Sequence, residues 1–306
     1  MRLLTRSDFD GLVCAVLLEE MGIVDSYEFV HPKDVQEGTV KANENDVVAN
    51  VPYIPGCGLW FDHHSSEAER LELRTLKFKG ESREAPSAAQ VIWDHYGGDK
   101  EFKEELIPLL NAVNKSDSGN LTAEEILYPQ GFILLSFIMD PRTGLGRFKD
   151  FRISNYALML DMIQYCRTKT IDEILALPDV KERIERYIEH SEQHMKMLER
   201  CCVIQDNVLI TNLLDEDTIY TGNRFMVYAL YPDQNIEIRI QWGKEKKNVT
   251  FSCGHSIINR TSQTNVANLM LKYGGGGHEK VGTCQVIHDY WEEVLQELIE
   301  EMKRAG

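Results

Sequence analysis

Asp8 and Asp10 follow the apolar run Leu3-Leu4-Thr5, and Asp62-His63-His64 closes the apolar run Leu59-Trp60-Phe61. Two short strands thus deliver carboxylates and imidazoles to the places where they stop. Oxygen and nitrogen donors in one place suit a divalent transition ion such as Mn²⁺. Such an ion can provide a water nucleophile at neutral pH and offset charge on phosphoryl oxygens. Far downstream, Tyr273-Gly274-Gly275-Gly276-Gly277-His278 reads as a glycine loop. Consecutive glycines let backbone N–H groups turn toward an anion, and His278 can donate to a phosphate oxygen.

The elements that must position these residues follow from spacing. Leu3-Thr5, Tyr27-Val30, Asp46-Asn50 and Gly58-Phe61 read as strands, while Leu12 to Met21 is apolar at helical spacing and stops at Gly22. Pro86-Ser87 opens a helix through Trp93 and Tyr96, with proline in the early position that tolerates it. Glu104 to Val113 is another helix, and helical patterns dominate from Thr122 to about Arg200. Alternation of strand and helix at this spacing predicts an α/β domain with a mostly parallel sheet and flanking helices. In an open sheet of that kind, ligands bind at the carboxyl ends of the strands. Asp179 to Arg200 predicts a long, solvated linking helix, on which His190 and His194 belong to a charged face. From Val203 onward, Val208-Ile210, Met226-Tyr231, Ile236-Trp242 and Asn248-Gly254 predict strands. A closing helix runs from Tyr290 to Lys303. The expected limits are 1–178, 179–202 for the linking helix, and 203–306 for a smaller α+β domain.

Composition bounds the function. A chain of 306 residues with 43% hydrophobic and 27% charged content is long enough for about two cores. No apolar run reaches the ~18 residues of a membrane span, and Met-Arg-Leu-Leu-Thr shows no signal-peptide pattern. Seven cysteines without framework spacing predict a reducing cytoplasm. A net charge of −16 and no basic stripe weigh against long duplex nucleic acid, whose binding depends on phosphate neutralisation. The basic residues near the motifs are Arg6, Lys115, Arg260, Lys272 and Lys280.

Asp8-Phe9-Asp10-Gly11, then Asp62-His63-His64, then the late glycine tract ending in His278, resembles the DHH/DHHA1 phosphoesterase superfamily over nearly the whole chain. The variant is most similar to bacterial proteins labelled exopolyphosphatase-related. The resemblance implies metal ligation by Asp8, Asp10, His63 and Asp117, the last in Asn114-Lys115-Ser116-Asp117-Ser118-Gly119. Asp-Ser-Gly is also ordinary turn chemistry. It further implies that Arg260, Gly275, Gly276, Gly277 and His278 receive the substrate's phosphate or terminal nucleotide, with His64 near the reacting phosphate.

Two positions depart from the family pattern. Arg6 stands where the family has a histidine ligand, and Asn50 where it has a bridging aspartate. Arginine stays charged, so Arg6 can serve as a fixed cation near Asp8. Asp10, His63 and Asp117, with the Asn50 oxygen, would then keep one Mn²⁺. Two ions stay open, and Mg²⁺ is the weaker match. The leading expectation is a metal-dependent phosphoesterase acting on a short oligonucleotide, a nucleoside phosphate or polyphosphate in a cleft between two domains. Asp10, His63, His64 and Arg6 would be catalytic. The competing expectation is a catalytically impaired binding or sensor protein for a phosphorylated ligand. A single-strand exonuclease is weakened by the missing basic track. A short single-stranded oligonucleotide and a homodimer remain compatible partners, and a membrane does not.

Overall fold

Leu3-Leu4, Val47-Val48 and Trp60-Phe61 each put two apolar residues side by side. Neighbouring side chains on a strand point to opposite faces, so these pairs need a sheet covered on both sides, as parallel sheets are. The computed structural model describes residues 1–64 and 77–306 and has that arrangement. In chain order come β1 (Arg2–Thr5), α1 (Phe9–Glu20), β2 (Ser26–Phe29), α2 (Pro32–Gln36), β3 (Asp46–Ala49), β4 (Leu59–Asp62) and β5 (Gly80–Ser82). The strands form one sheet in the order β2-β1-β3-β4-β5, parallel throughout. Leu3, Val47 and Phe61 pack into the core beneath α1, while Leu4, Val48 and Trp60 join a second core on the opposite face.

Strand order reverses between β1 and β3, because the chain leaves β1 for β2 on one side and returns to β3 on the other. Their carboxyl ends therefore diverge into a crevice, the usual ligand position in such sheets. The next helices are α3 (Ala88–His95), α4 (Ile107–Ser118), α5 (Ala123–Leu127), α6 (Gly131–Met139), α7 (Asn155–Thr168), α8 (Ile171–Leu175) and α9 (Pro178–Cys201). Ser87 caps α3 by accepting from the Gln90 N–H at 3.0 Å. Gly119 ends α4 in the left-handed conformation, φ 68°, as helix-terminating glycines do. Asp117 consequently lies in the last turn of a helix.

The remaining elements are β6 (Cys202–Gln205), β7 (Val208–Asn212), α10 (Met226–Leu230), β8 (Ile236–Trp242), β9 (Asn248–His255), α11 (Val266–Leu271), β10 (Gly276–His278), β11 (Val281–Ile287) and α12 (Trp291–Ala305). Their sheet runs β10-β11-β9-β8-β7-β6, with β7 and β8 parallel and the other pairs antiparallel. Met226 to Leu230 is a helix where a strand was expected, because a short continuous apolar run has no period to separate the two. His194 also departs from expectation. It is 5% exposed, and its Nδ1 meets the Tyr220 carbonyl at 3.1 Å, so this part of α9 is packed rather than solvated.

Packing divides the chain into residues 1–120 with 129–186, and 121–128 with 187–306. The sequence reading sets its limits at 178/179 and 202/203, whereas packing divides within α9 and assigns α5 to the second unit. There Asn223 Nδ2 donates to the Ile126 carbonyl and to the Tyr187 hydroxyl, both at 3.0 Å. Among the described residues no helix is long and apolar enough to cross a membrane.

β1 and β3 are also tied at their amino ends. Arg2 donates through Nε and Nη2 to the two oxygens of buried Asp46, at 2.8 and 3.0 Å, and the Asn43 N–H adds a third bond. Burial raises the Asp46 pKa, but these donors outweigh it and hold the carboxyl below its usual range. A depressed carboxyl adds stability above its unfolded pKa, ~3.9, and that stability is lost as pH falls through the folded value. Asp46→Asn should cost about 1–2 kcal/mol at neutral pH, the lower part of the charged-bond range because Arg2 keeps some water. In denaturant melts the gap between variant and wild type should close below about pH 4. A gap unchanged by acid would mean that the charge of Asp46 contributes nothing.

Candidate active site

The turn from β1 into α1 places the first carboxylates. Asp8 caps α1, accepting the Gly11 N–H on Oδ1 at 3.0 Å. A side chain at position 11 would lie 1.9 Å from the Arg6 carbonyl, so this tight turn admits only glycine. Asp10, in the first turn of α1, is buried. Its two oxygens accept the N–H groups of Ala88 and Ala89 at 2.9 Å each, at the start of α3. Backbone donors from a second helix thereby aim Asp10 and leave its remaining lone pairs directed into the site.

β4 delivers the imidazoles. His63 Nδ1 meets the Ala85 carbonyl at 3.2 Å. A carbonyl only accepts, so Nδ1 carries the proton and Nε2 of the neutral ring is a lone pair. Nε2 is buried and makes no hydrogen bond among the described residues, yet it lies 3.2 Å from Asp117 Oδ2 and 3.7 Å from Asp10 Oδ2. Donor atoms of Asp10, His63 and Asp117 all fall within 4.8 Å of one another. Three acceptors that converge without a donor repel one another unless a proton or a cation sits among them. Burial, with Asp117 close by, accordingly pushes the Asp10 carboxyl up to about 7. One imidazole and two carboxylates are a donor set that fits a single divalent transition ion.

Asp8, Asn50 and Arg6 form a separate group. Asn50, at the end of β3, takes a left-handed backbone, φ 56°, which asparagine tolerates better than most residues. Its Nδ2 donates to Asp8 Oδ1 at 3.0 Å, and Arg6 Nε faces Asp8 Oδ2 at 3.0 Å. Both Asp8 oxygens therefore already have donors. Burial raises the Asp8 pKa and Arg6 opposes the rise. Asp62, fully buried, holds His64 by Nδ1 at 2.9 Å and by its backbone N–H at 3.3 Å. Burial lowers the His64 pKa, but Asp62 overrides it and carries it up to about 9, so His64 is an imidazolium at neutral pH. Cys14 lies 3.7 Å from Asp10 Oδ1, and burial keeps its thiol protonated.

Arg6, Asp8, Asp10, Asn50, His63, His64 and Asp117 are thus all at the strand ends of the first unit. Arg260, Gly275, Gly276, Gly277 and His278 belong to the second. Arg260 lies in the loop after β9, its Nε on the Ile257 carbonyl at 3.0 Å. The glycine tract is only partly a loop. Gly276 to His278 form an edge strand against β11, with Gly276 opposite Thr283 and His278 opposite Val281. A Cβ on Gly275 would lie 2.1 Å from the Thr283 carbonyl, whereas one on Gly276 would meet nothing.

Sequence reasoning missed Arg142. It sits in the turn Asp140-Pro141-Arg142-Thr143-Gly144 after α6, and its charge bears on Asp8 and Asp117. An arginine in an Asp-Pro turn was the available signal, but its distance along the chain from every motif hid it. Also illegible were the Ala85 carbonyl and the Ala88 and Ala89 N–H groups, because backbone partners leave no mark on residue identity.

No protein-family model matches the chain, and no curated protein does. Among solved structures, the chain is similar to a pGpG-specific phosphodiesterase, PggH, from Vibrio cholerae. The two are 47% identical over 100% of this chain and 99% of that one, with a TM-score of 0.85. An exopolyphosphatase-related protein from Bacteroides fragilis is 12% identical over 99% of this chain and 92% of its own, TM-score 0.52. RecJ from Thermus thermophilus in complex with Mn²⁺ is 12% identical over 100% of this chain and 52% of its own, TM-score 0.52. The latter two show a shared fold alone.

The glycine tract separates structural need from ligand access. Gly275→Ala forces a Cβ against backbone and should destabilise the protein by about 1–3 kcal/mol. Gly276→Ala meets no atom, so its melting temperature should stay within about 2 °C of wild type, the shift expected for a change below ~0.5 kcal/mol. A loss of substrate affinity in that stable variant would place a ligand over Gly276. Unchanged affinity would leave the tract with its packing role alone.

Proposed function

The chain belongs to the DHH/DHHA1 phosphoesterase superfamily, and from that premise we propose that it hydrolyses the linear dinucleotide pGpG to two molecules of GMP, using one divalent ion held by Asp10, His63 and Asp117. The catalytic reading is carried by the buried His63 Nε2, a lone pair facing two carboxylates with no donor between them. Choice of substrate rests on the 47% identity, over the full length, to a protein described as pGpG-specific.

When bound, the ion supplies an activated water and offsets phosphoryl charge, with Mn²⁺ the best match to the donor set. The chain's own groups supply the rest. Ala88 and Ala89 orient Asp10, and the Ala85 carbonyl selects the His63 tautomer. Arg6 is tied to Asp8 by Nε and keeps a fixed positive charge beside the crevice. His64, held and charged by Asp62, is assigned the proton that passes to the departing 3′ oxygen as the P–O bond breaks and the water oxygen bonds to phosphorus. In the second unit, Arg260, Gly276 and His278 are proposed to receive a phosphate group.

The charge balance favours one ion over two. Arg6 offsets Asp8, and His64 offsets Asp62, which leaves Asp10 and Asp117 for one divalent cation. The competing reading, a sensor that binds pGpG without turnover, draws on Arg6 and Asn50 standing where the family has metal ligands.

Elemental analysis after manganese loading should find about one ion per chain, and His63→Ala should abolish it. Two ions per wild-type chain would rule out the Arg6–Asp8–Asn50 assignment. Incubation with pGpG should release GMP, read by chromatography, whereas retention of intact pGpG would favour the sensor. His64→Ala should lower kcat on pGpG by about 10²–10⁴-fold, the usual contribution of a general acid. On bis(p-nitrophenyl) phosphate, whose leaving group needs no proton, the loss should be far smaller. Equal losses on both substrates would remove the acid role.

A further inference from the structure

A ring of hydrogen bonds joins the start of α3 to the last turn of α4. Ser87, fully buried, donates from Oγ to Asn114 Oδ1 at 2.6 Å. Asn114 Nδ2 donates to Gln90 Oε1 at 2.6 Å, and the Gln90 backbone N–H returns to Ser87 Oγ at 3.0 Å. One further bond sets the direction of the ring. Gln90 Nε2 lies 2.8 Å from Asp94 Oδ1, and a carboxylate only accepts. Gln90 therefore offers its amide oxygen to Asn114, and Asn114 offers its own oxygen to the Ser87 hydroxyl. The ring closes with a donor opposite each acceptor.

All three candidate ligands of the ion adjoin this ring. Two residues before Ser87, the Ala85 carbonyl meets His63 Nδ1 at 3.2 Å. Directly after Ser87, the Ala88 and Ala89 N–H groups hold Asp10 at 2.9 Å each. Asp117 stands three residues after Asn114, on the same face of α4. The apolar packing of α4 ends with Ala112 and Val113. Beyond it, Asp117 Oδ2 meets the lone pair of His63 Nε2 at 3.2 Å, which repels the carboxylate rather than holding it. The restraint on Asp117 has to act through α4, and Asn114 is the first residue past the apolar packing. Residues 85–89 are thus a common reference for Asp10, for His63 and, through Asn114, for Asp117.

We propose that Ser87 and Asn114 are positioning residues: their hydrogen bond fixes the spacing of Asp117 from Asp10 and His63, and so sets the affinity of the site for a divalent ion. The proposal rests on the one-ion reading above, and neither residue is assigned as a ligand. Capping α3 uses only the acceptor side of the Ser87 hydroxyl. Its proton goes to Asn114, which a helix cap alone does not require. Acceptors that repel one another move apart when a support loosens, and a wider triangle holds a small cation less well.

The test uses the full chain and the variants Asn114→Ala, Ser87→Ala and both together. Mn²⁺ affinity is read by titration calorimetry and folding by melting temperature. Asn114→Ala leaves the Ser87 cap in place and should weaken Mn²⁺ binding by about 10-fold, the lower end of the range for groups that orient metal ligands. Ser87→Ala should lose at least as much. Because the two residues form one link, the double variant should bind Mn²⁺ no worse than Ser87→Ala alone. Losses that multiply in the double variant, or an unchanged affinity in Asn114→Ala, would overturn the proposal. Asn114→Leu fills the same space without a hydrogen bond and should match alanine, so it decides the matter if Asn114→Ala does not fold. As a control, Ser154→Ala removes the cap of α7, which carries no candidate ligand. It should lower the melting temperature and leave Mn²⁺ affinity alone; a parallel fall in affinity would reduce the effect to general stability and refute the proposal. A wild type that binds no Mn²⁺ would sink the one-ion reading and the proposal together. Mn²⁺ binding that requires His63 but ignores Asn114 would sink the proposal alone.

Discussion

Two carboxylates and an imidazole lone pair crowded into one buried place repel one another, and the first unit is built to keep them there. Asp10 is gripped by two backbone N–H groups of α3, His63 by the Ala85 carbonyl, and Asp117 by its place in the last turn of α4. Each hold comes from a different element, so no single local relaxation relieves the crowding. The parallel sheet makes it possible, because its strand order reverses between β1 and β3 and opens their ends to side chains from both.

Next to this acceptor cluster the protein takes the opposite course. Both Asp8 oxygens are faced by donors, from Gly11, Asn50 and Arg6, and Asp62 holds His64. An aspartate at position 50 would face Asp8 with a second negative charge, whereas the Asn50 amide donates to it. Arg6 and Asn50 are therefore chemically matched to Asp8. Together they hold Asp8 by one amide donor and one fixed cation.

In the second unit the same residues answer to two demands. Gly275 is required by the close approach of the hairpin, with or without a ligand. Gly276 has neither a strained backbone nor a neighbour to avoid, so packing does not explain its lack of a side chain. Glycine tracts invite a functional reading as a block, and here only one position of the pair supports it.

The sequence alone determined the parallel sheet, the strand ends that carry Asp8, Asp10, Asn50 and His63, and the α+β character of the second part of the chain. Apolar pairs and their spacing are local, and local patterns survive without knowledge of the fold. It also carried the family, through short motifs whose order is visible along the chain. Tertiary structure decided what spacing does not encode. The run Met226 to Leu230 became a helix because five apolar residues fit either element, and buried His194 met a carbonyl that only packing brings near. Backbone groups of Ala85, Ala88 and Ala89 set the tautomer and aim of the site, and they would do so with many other side chains in their place. Arg142 lies 25 positions beyond Asp117 in the chain, yet its charge reaches Asp117 and Asp8. Electrostatics and hydrogen bonding act through space, whereas a sequence records only order.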